Sequence, residues 1–307
     1  MSTKGVVWKY SEGCIEGVSV SMGKNTKQLS AQYLIKVAQL FEKKNWEIEN
    51  SEEMGNSLFD RYCQRLLEVG ENAKRELMLE LTERYLWISD EDYVEHLIQV
   101  LVKLVTENKE ISEDSKIYVM PLIAPDDMGK TKSSVMLSYL FNSVRLRHNK
   151  KLSKYKFQLE NNIDQVVGYL KQDNCFLILA DDFIGTGETA EKCIVYMQEK
   201  SVPIEKIIIL SLVAQEKGLE YLKKYSVYLV ANIIQQRGIS DYYEGEQLKG
   251  KISLMLDIEK KMSIKKKYRL GYNGSEALVT MCRTPNNTFP LFWDETGNMK
   301  IAPFPRL

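Results

Sequence analysis

The stretch Cys175-Phe-Leu-Ile-Leu-Ala-Asp-Asp-Phe-Ile-Gly-Thr-Gly-Glu-Thr189 decides how this chain is read. The apolar run Phe176–Ala180 has no polar alternation, as in a parallel strand covered on both faces. It ends in two adjacent carboxylates, Asp181 and Asp182. Phe183, Ile184 and Gly185 separate these acids from Thr186, Gly187, Glu188 and Thr189, where a helical pattern begins. The order is buried strand, tight turn, helix N-terminus. The free amides and hydroxyls of such a helix start make an anion cradle. Gly185 and Gly187 let the backbone approach an anion with no Cβ in the way. A bare phosphate would be repelled by Asp181 and Asp182, so the acids are expected to face sugar hydroxyls and a magnesium ion.

Asp181, Asp182, Thr186, Gly187 and Thr189, at this spacing after an apolar strand, resemble the ribose-5-phosphate loop of type I phosphoribosyltransferases. The resemblance implies that Asp181 and Asp182 hold the ribose 2- and 3-hydroxyls of phosphoribosyl pyrophosphate. It implies that Phe183, Ile184, Gly185, Thr186, Gly187, Glu188 and Thr189 form the 5-phosphate loop. Mg2+ is the implied cofactor, with Asp181 and Asp182 reaching it indirectly, through the ribose hydroxyls. The alternative for the same residues is a strand ending in solvated carboxylates before an ordinary capped helix.

Composition sets the outer bounds. A chain of 307 residues holds one large or two modest domains. Hydrophobic residues make up 44% and charged residues 27%, as in ordinary globular proteins. The formal net charge is +0, so no global basic signal points to nucleic acid. Cys14, Cys63, Cys175, Cys193 and Cys282 are scattered without metal-like spacing, which points to a reducing cytoplasm and no disulfide framework. No signal peptide or membrane-length apolar run is apparent, so no membrane association is expected. His96 and His148 are the only histidines, too few for a histidine metal site or triad.

Upstream, residues 1–27 read as an irregular arm with short strands. From Gln28 to Lys109 the pattern is helical, with Leu34, Val37, Ala38, Phe41 and Trp46 near one face. His96, among Leu97, Val100 and Leu101, reads as a packed or surface histidine. This helical segment offers a surface for a protein or ribonucleoprotein partner, or for oligomerisation.

Lys116–Ile123 is the first convincing strand. The loop after it, through Gly129, Lys130 and Thr131 to a helix from Ser133, has two ligand-binding readings, beside a third in which neither loop binds a ligand and Lys130 is a surface residue. In the first it is the pyrophosphate loop that a type I enzyme places after its first core strand, with the amides around Gly129 and the Lys130 ammonium holding diphosphate. In the second it is a degenerate P-loop, with Ala124 in place of the first glycine and Asp181-Asp182 as the magnesium-binding acid. Against the second, Asp126 and Asp127 sit inside the loop. A P-loop also has no need of Thr186-Gly187-x-Thr189. The basic stretch Val144–Lys156 occupies the interval in which type I enzymes carry a mobile lid; its other reading is a solvated basic loop or a nucleic-acid contact.

Downstream, strands at Lys206–Ala214 and Val227–Ile234 alternate with helices at Ala190–Lys200 and Glu216–Tyr225. That alternation predicts a right-handed parallel sheet with ligands beyond the carboxyl ends of its strands. Near the C-terminus, Asn286 and Asn287 have the amides to read a base edge, and Phe292 or Trp293 the ring to stack on one. The alternatives are an Asx-type turn and core packing.

The expected fold is therefore α/β, a parallel Rossmann-like sheet of the type I phosphoribosyltransferase fold. The segments are a helical N-terminal piece (1–110), a core (111–235) and a C-terminal hood (236–307). The expected function is binding of phosphoribosyl pyrophosphate or a related nucleotide, with magnesium-dependent glycosyl transfer. The helical front, the Thr284-Pro-Asn-Asn-Thr288 segment and Phe292-Trp293 are also similar to a divergent phosphoribosyltransferase-like group. That group occurs as effectors in bacterial antiviral systems, some beside retron reverse transcriptases. A P-loop-like NTPase and a non-catalytic nucleotide-sensing regulator of the same fold remain the alternatives.

Overall fold

In a computed structural model of the chain, residues 7–11, 14–18, 29–48 and 57–306 are described. The rest of the expected N-terminal arm lies outside them. The chain divides into two compact units, one of residues 1–86, 238–280 and 286–307, the other of residues 87–237 and 281–285.

The first unit opens with an antiparallel hairpin, β1 (Val7–Ser11) and β2 (Cys14–Val18). Three helices follow, α1 (Ala31–Lys44), α2 (Leu58–Val69) and α3 (Asn72–Glu83). The apolar residues of α1 recur at helical spacing, and Leu34, Val37, Ala38 and Phe41 are all buried. Asn45 ends α1 in a left-handed conformation, φ 54°, returning its amide to the last turn. Ser57 caps α2 by accepting from the Asp60 amide at 3.0 Å. After α3 the chain runs into the two-residue strand β3 (Leu86–Trp87).

The second unit is a five-stranded sheet with helices on both faces. In chain order it comprises α4 (Tyr93–Glu107), β4 (Lys116–Pro121), α5 (Ser133–Tyr139), α6 (Val144–Arg147), β5 (Lys156–Leu159), α7 (Ile163–Tyr169), β6 (Cys175–Ile184), α8 (Glu188–Glu199), β7 (Ile207–Gln215), α9 (Glu216–Leu222) and β8 (Tyr228–Gln235). The spatial order is β5-β4-β6-β7-β8, and every pair is parallel. β6 and β7 are apolar almost throughout because both faces are covered. Burying side chains of this size stabilises by about 1.5–3 kcal/mol each. The expected parallel α/β sheet is present.

Three details differ from the sequence reading. β6 does not stop before the acids but continues to Ile184. The basic stretch 144–156 is folded: Leu146 and Leu152 are buried, and Arg145 and Lys154 pair with Glu95 and Glu113. It leads into β5, an edge strand whose four residues carry too little apolar content to stand out. And α4, counted within the helical segment 1–110, groups with the sheet.

The chain then returns to the first unit with α10 (Gly245–Lys261) and β9 (Val279–Thr280), so the helical front and the C-terminal extension form one unit. Its core is aromatic. Phe41 meets Trp46 edge-on at 5.2 Å, and Tyr85 stacks on Phe304 at 4.8 Å. Phe292 is fully buried beside Tyr85 and is not available to a base. None of the helices, among the described residues, is long and apolar enough to cross a membrane.

Candidate functional site

The strand order is that of a sheet whose first strand, β4, lies between the second, β5, and the third, β6. At that switch point the connections from β4 and β6 leave in opposite directions and open a crevice at the carboxyl ends of the strands. Both loops singled out in the sequence start there. The Gly129–Thr131 loop follows β4, and the Gly185–Gly187 turn follows β6. The Asp126 carboxylate pairs with Lys192 of α8 at 3.2 Å, and Ser133, the first residue of α5, bonds to Asp182.

The continuation of β6 decides how the two acids are used. Successive side chains of a strand point to opposite faces. Asp182 therefore turns to the face covered by α4 and α5, and its partners lie there: Tyr93 Oη donates to Oδ2 at 2.8 Å and Ser133 Oγ to Oδ1 at 2.7 Å. It is 5% exposed. Asp181 turns to the face covered by α8, remains part-exposed, and accepts the Asp182 amide at 3.0 Å. Burial, and then the Asp182 charge, raise the Asp181 carboxyl well above the usual carboxylate range.

Tyr93 was not legible as a site residue. It is the first residue of α4, fully buried, and its hydroxyl also accepts the Cys282 amide at 2.9 Å. Burial and the Asp182 charge raise its pKa. His96, one turn further along α4, meets Asn232 of β8 at 2.8 Å, and burial lowers its pKa, as for a packed neutral histidine.

In the 5-phosphate turn, Phe183, Ile184, Gly185 and Gly187 are buried, Thr186 and Glu188 part-exposed, and Thr189 exposed. Gly187 has φ 85°, a left-handed value that disfavours any other residue, and it caps α8. The first-turn amides of α8 have no preceding helical carbonyls to bond. The turn is held from behind by Gly218 of α9. A Cβ at Gly218 would lie 2.1 Å from the Gly185 carbonyl oxygen, and one at Gly187 would lie 3.0 Å from the Gly218 carbonyl oxygen.

In the loop after β4, Gly129 has φ 82° with open space beside it. Lys130 and Lys132 both bond Asp127, at 2.6 and 2.9 Å, which holds the Asp127 carboxyl down at about 2. Thr131 is exposed. The helix starts only at Ser133, after an extended Lys132 with φ −127°. In a P-loop the Gly-Lys-Thr residues open the helix themselves, so this loop lacks that geometry.

Asn286 and Asn287 belong to the other unit. Their backbone carbonyls accept from Tyr272 and Ala277, at 2.9 and 3.1 Å, and both residues are part-exposed. Trp293 donates to the Thr288 carbonyl at 2.7 Å and packs edge-on against Tyr268.

Among the described residues no group of three or more His, Cys, Asp or Glu side chains comes together to hold a metal ion. Asp181, part-exposed at the end of β6, and the carboxylates of Asp126 and Asp127 in the loop after β4 are oxygen donors of the kind that suits magnesium.

The PRTase-CE family model matches residues 62–306. The chain belongs to the PRTase-CE family. This PRTase-CE protein is thus a divergent member of the phosphoribosyltransferase-like families, as the loop after β6 implied. Two similar solved structures are an orotate phosphoribosyltransferase from Aeropyrum pernix and the AQ2163 protein from Aquifex aeolicus. The first is 16% identical over 47% of this chain and 72% of that one, with TM-score 0.28. The second is 14% identical over 61% of this chain and 88% of that one, with TM-score 0.30. None of the curated proteins matches.

Proposed function

We propose that this PRTase-CE protein binds phosphoribosyl pyrophosphate, or a closely related nucleotide, with Mg2+ and transfers its glycosyl group. The observation that carries the proposal is that the Gly129–Thr131 loop and the turn after β6, with its free helix-start amides, both begin at the switch point of the sheet. One has an acidic pair beside it, which a phosphate alone would not favour.

In this reading Asp181 and Asp182 anchor the ribose hydroxyls, the amides of Phe183 to Thr189 hold the 5-phosphate, and Gly129, Lys130 and Thr131 hold the diphosphate. When bound, Mg2+ neutralises diphosphate charge and so eases departure of the leaving group. The C1–O bond breaks, its electron pair leaves with diphosphate, and an acceptor atom bonds C1 through an oxocarbenium-like transition state. Asp181, whose burial raises its proton affinity, suits the role of taking the proton released by the acceptor. Asn286 and Asn287 are the proposed readers of a base.

A second reading follows from Asp182. Both its oxygens already accept hydrogen bonds, an arrangement that also suits a protein that binds the sugar phosphate as a signal without turning it over. The resemblance to effectors of bacterial antiviral systems extends the proposal to a retron-type defence role in the cytoplasm, with a protein or ribonucleoprotein partner on the helical front. Phage plating on cells that carry the protein and its genomic neighbours tests that role. Protection should vanish with Asp181→Asn/Asp182→Asn.

The deciding experiment for the site is calorimetric titration with phosphoribosyl pyrophosphate and magnesium, beside ATP and magnesium. Binding of the first by wild type and its loss in Asp181→Asn/Asp182→Asn are expected. Binding of ATP alone, lost in Lys130→Ala, overturns the proposal. Diphosphate release on turnover separates the enzyme from the sensor.

A further inference from the structure

Among the described residues, the Tyr93 and Ser133 side chains bond the Asp182 carboxylate, and they do so from different elements. Tyr93 opens α4 and is itself fixed on its far side by the Cys282 amide. Ser133 opens α5, directly after the Gly129–Lys130–Thr131 loop. The Ser133–Asp182 bond therefore ties the loop after β4 to the end of β6.

A carboxylate offers about four lone-pair directions, so one bond to each oxygen leaves room for a further donor on each. With Asp182 only 5% exposed, the direction of those remaining lone pairs is set by the two hydroxyls rather than by solvent. Both hydroxyls donate to Asp182, so both act through it as positioning residues.

We infer that Tyr93 and Ser133 are positioning residues that aim Asp182 at the sugar ring and so set the preference for a ribose bearing its 2- and 3-hydroxyls. This rests on the proposed sugar-phosphate function. It adds a specificity device drawn from α4 and α5, outside the loop after β6.

The test is calorimetric titration of the full chain with ribose 5-phosphate and with 2,3-dideoxyribose 5-phosphate. The two probes share the phosphate and differ in the hydroxyls that Asp182 would read. Wild type is expected to prefer ribose 5-phosphate by about tenfold or more, as for a charged hydrogen bond present in one ligand and absent in the other. Tyr93→Phe and Ser133→Ala each remove one hydroxyl. Each should cut that preference several-fold while leaving the affinity for the dideoxy sugar within about twofold. Ser133→Thr keeps a hydroxyl and should retain the preference. Equal weakening of both sugars marks a merely structural role and overturns the inference, as does a wild-type preference in both single-hydroxyl variants. Wild type that binds neither sugar phosphate overturns the inference, and the titration with phosphoribosyl pyrophosphate and magnesium decides the proposed function separately. Wild type that binds both without preference overturns the inference and the hydroxyl contacts given to Asp181 and Asp182, while phosphate binding by the turn after β6 stands.

Discussion

At the scale of single residues, Asp181 and Asp182 are neighbours in sequence but not in surroundings. Replacing Asp182 by Ala strips the acceptor from the buried Tyr93 hydroxyl, a loss of about 1–3 kcal/mol for a buried donor left unpaired, and from the part-exposed Ser133, whose hydroxyl can turn to water at smaller cost. Thermal melting should fall clearly for Asp182→Ala. Asp181→Asn removes a carboxyl whose ionisation is already disfavoured, so its melting point should stay at or above that of wild type at neutral pH. A different carboxyl carries a pH signature. Glu259 of α10 is fully buried, both its oxygens accept the Leu270 amide, and burial pushes it up to about 8. A raised carboxyl favours folding below its unfolded pKa and loses that advantage as pH rises through the folded value. Stability of wild type relative to Glu259→Gln should therefore decline from about pH 4.5 to about pH 8. Denaturant melts at several pH values give the slope, and a flat difference would refute it.

At the scale of elements, the loop after β6 was readable because its parts are local: an apolar run, two acids, a turn, a helix start. The alternation of the acids was not. It depends on β6 continuing to Ile184 through pairing with β7 (Phe183 with Val213, Ile184 with Ala214), which no local pattern announces. β5 escaped notice because an edge strand of four residues beside a basic turn carries little apolar signal. Tyr93 escaped because its partner lies far along the chain. Gly218 escaped for a further reason: its role is an absence of atoms. Gly218→Ala places a methyl group 2.1 Å from the Gly185 oxygen, so α9 or the turn must move. The expected cost is about 1–3 kcal/mol. Binding of sugar phosphate should weaken more than binding at any site remote from the turn. Melting and titration of the same variant check both halves.

At the scale of the whole molecule, the chain crosses between its two units repeatedly, and the short segment 281–285 belongs with the sheet although its neighbours on both sides do not. The sequence, read linearly, divides into three consecutive segments, because nothing local marks five residues as belonging elsewhere. The segment supplies the Cys282 amide to Tyr93. A fragment of residues 87–237 keeps every strand of the sheet yet lacks that donor. It should melt at lower temperature than the same fragment supplemented with a linked 281–285 segment. Equal melting temperatures would show the segment to be dispensable. The contact between Gly218 and the Gly185–Gly187 turn has a consequence for tracing kinship. Two backbones touching without side chains leave evolution no compensating substitution, so a chain that builds this turn on this helix has little choice but glycine at both places. A search signature for distant relatives gains discrimination by pairing the acid-rich turn with a lone downstream helical glycine, a mark that composition-based profiles average away.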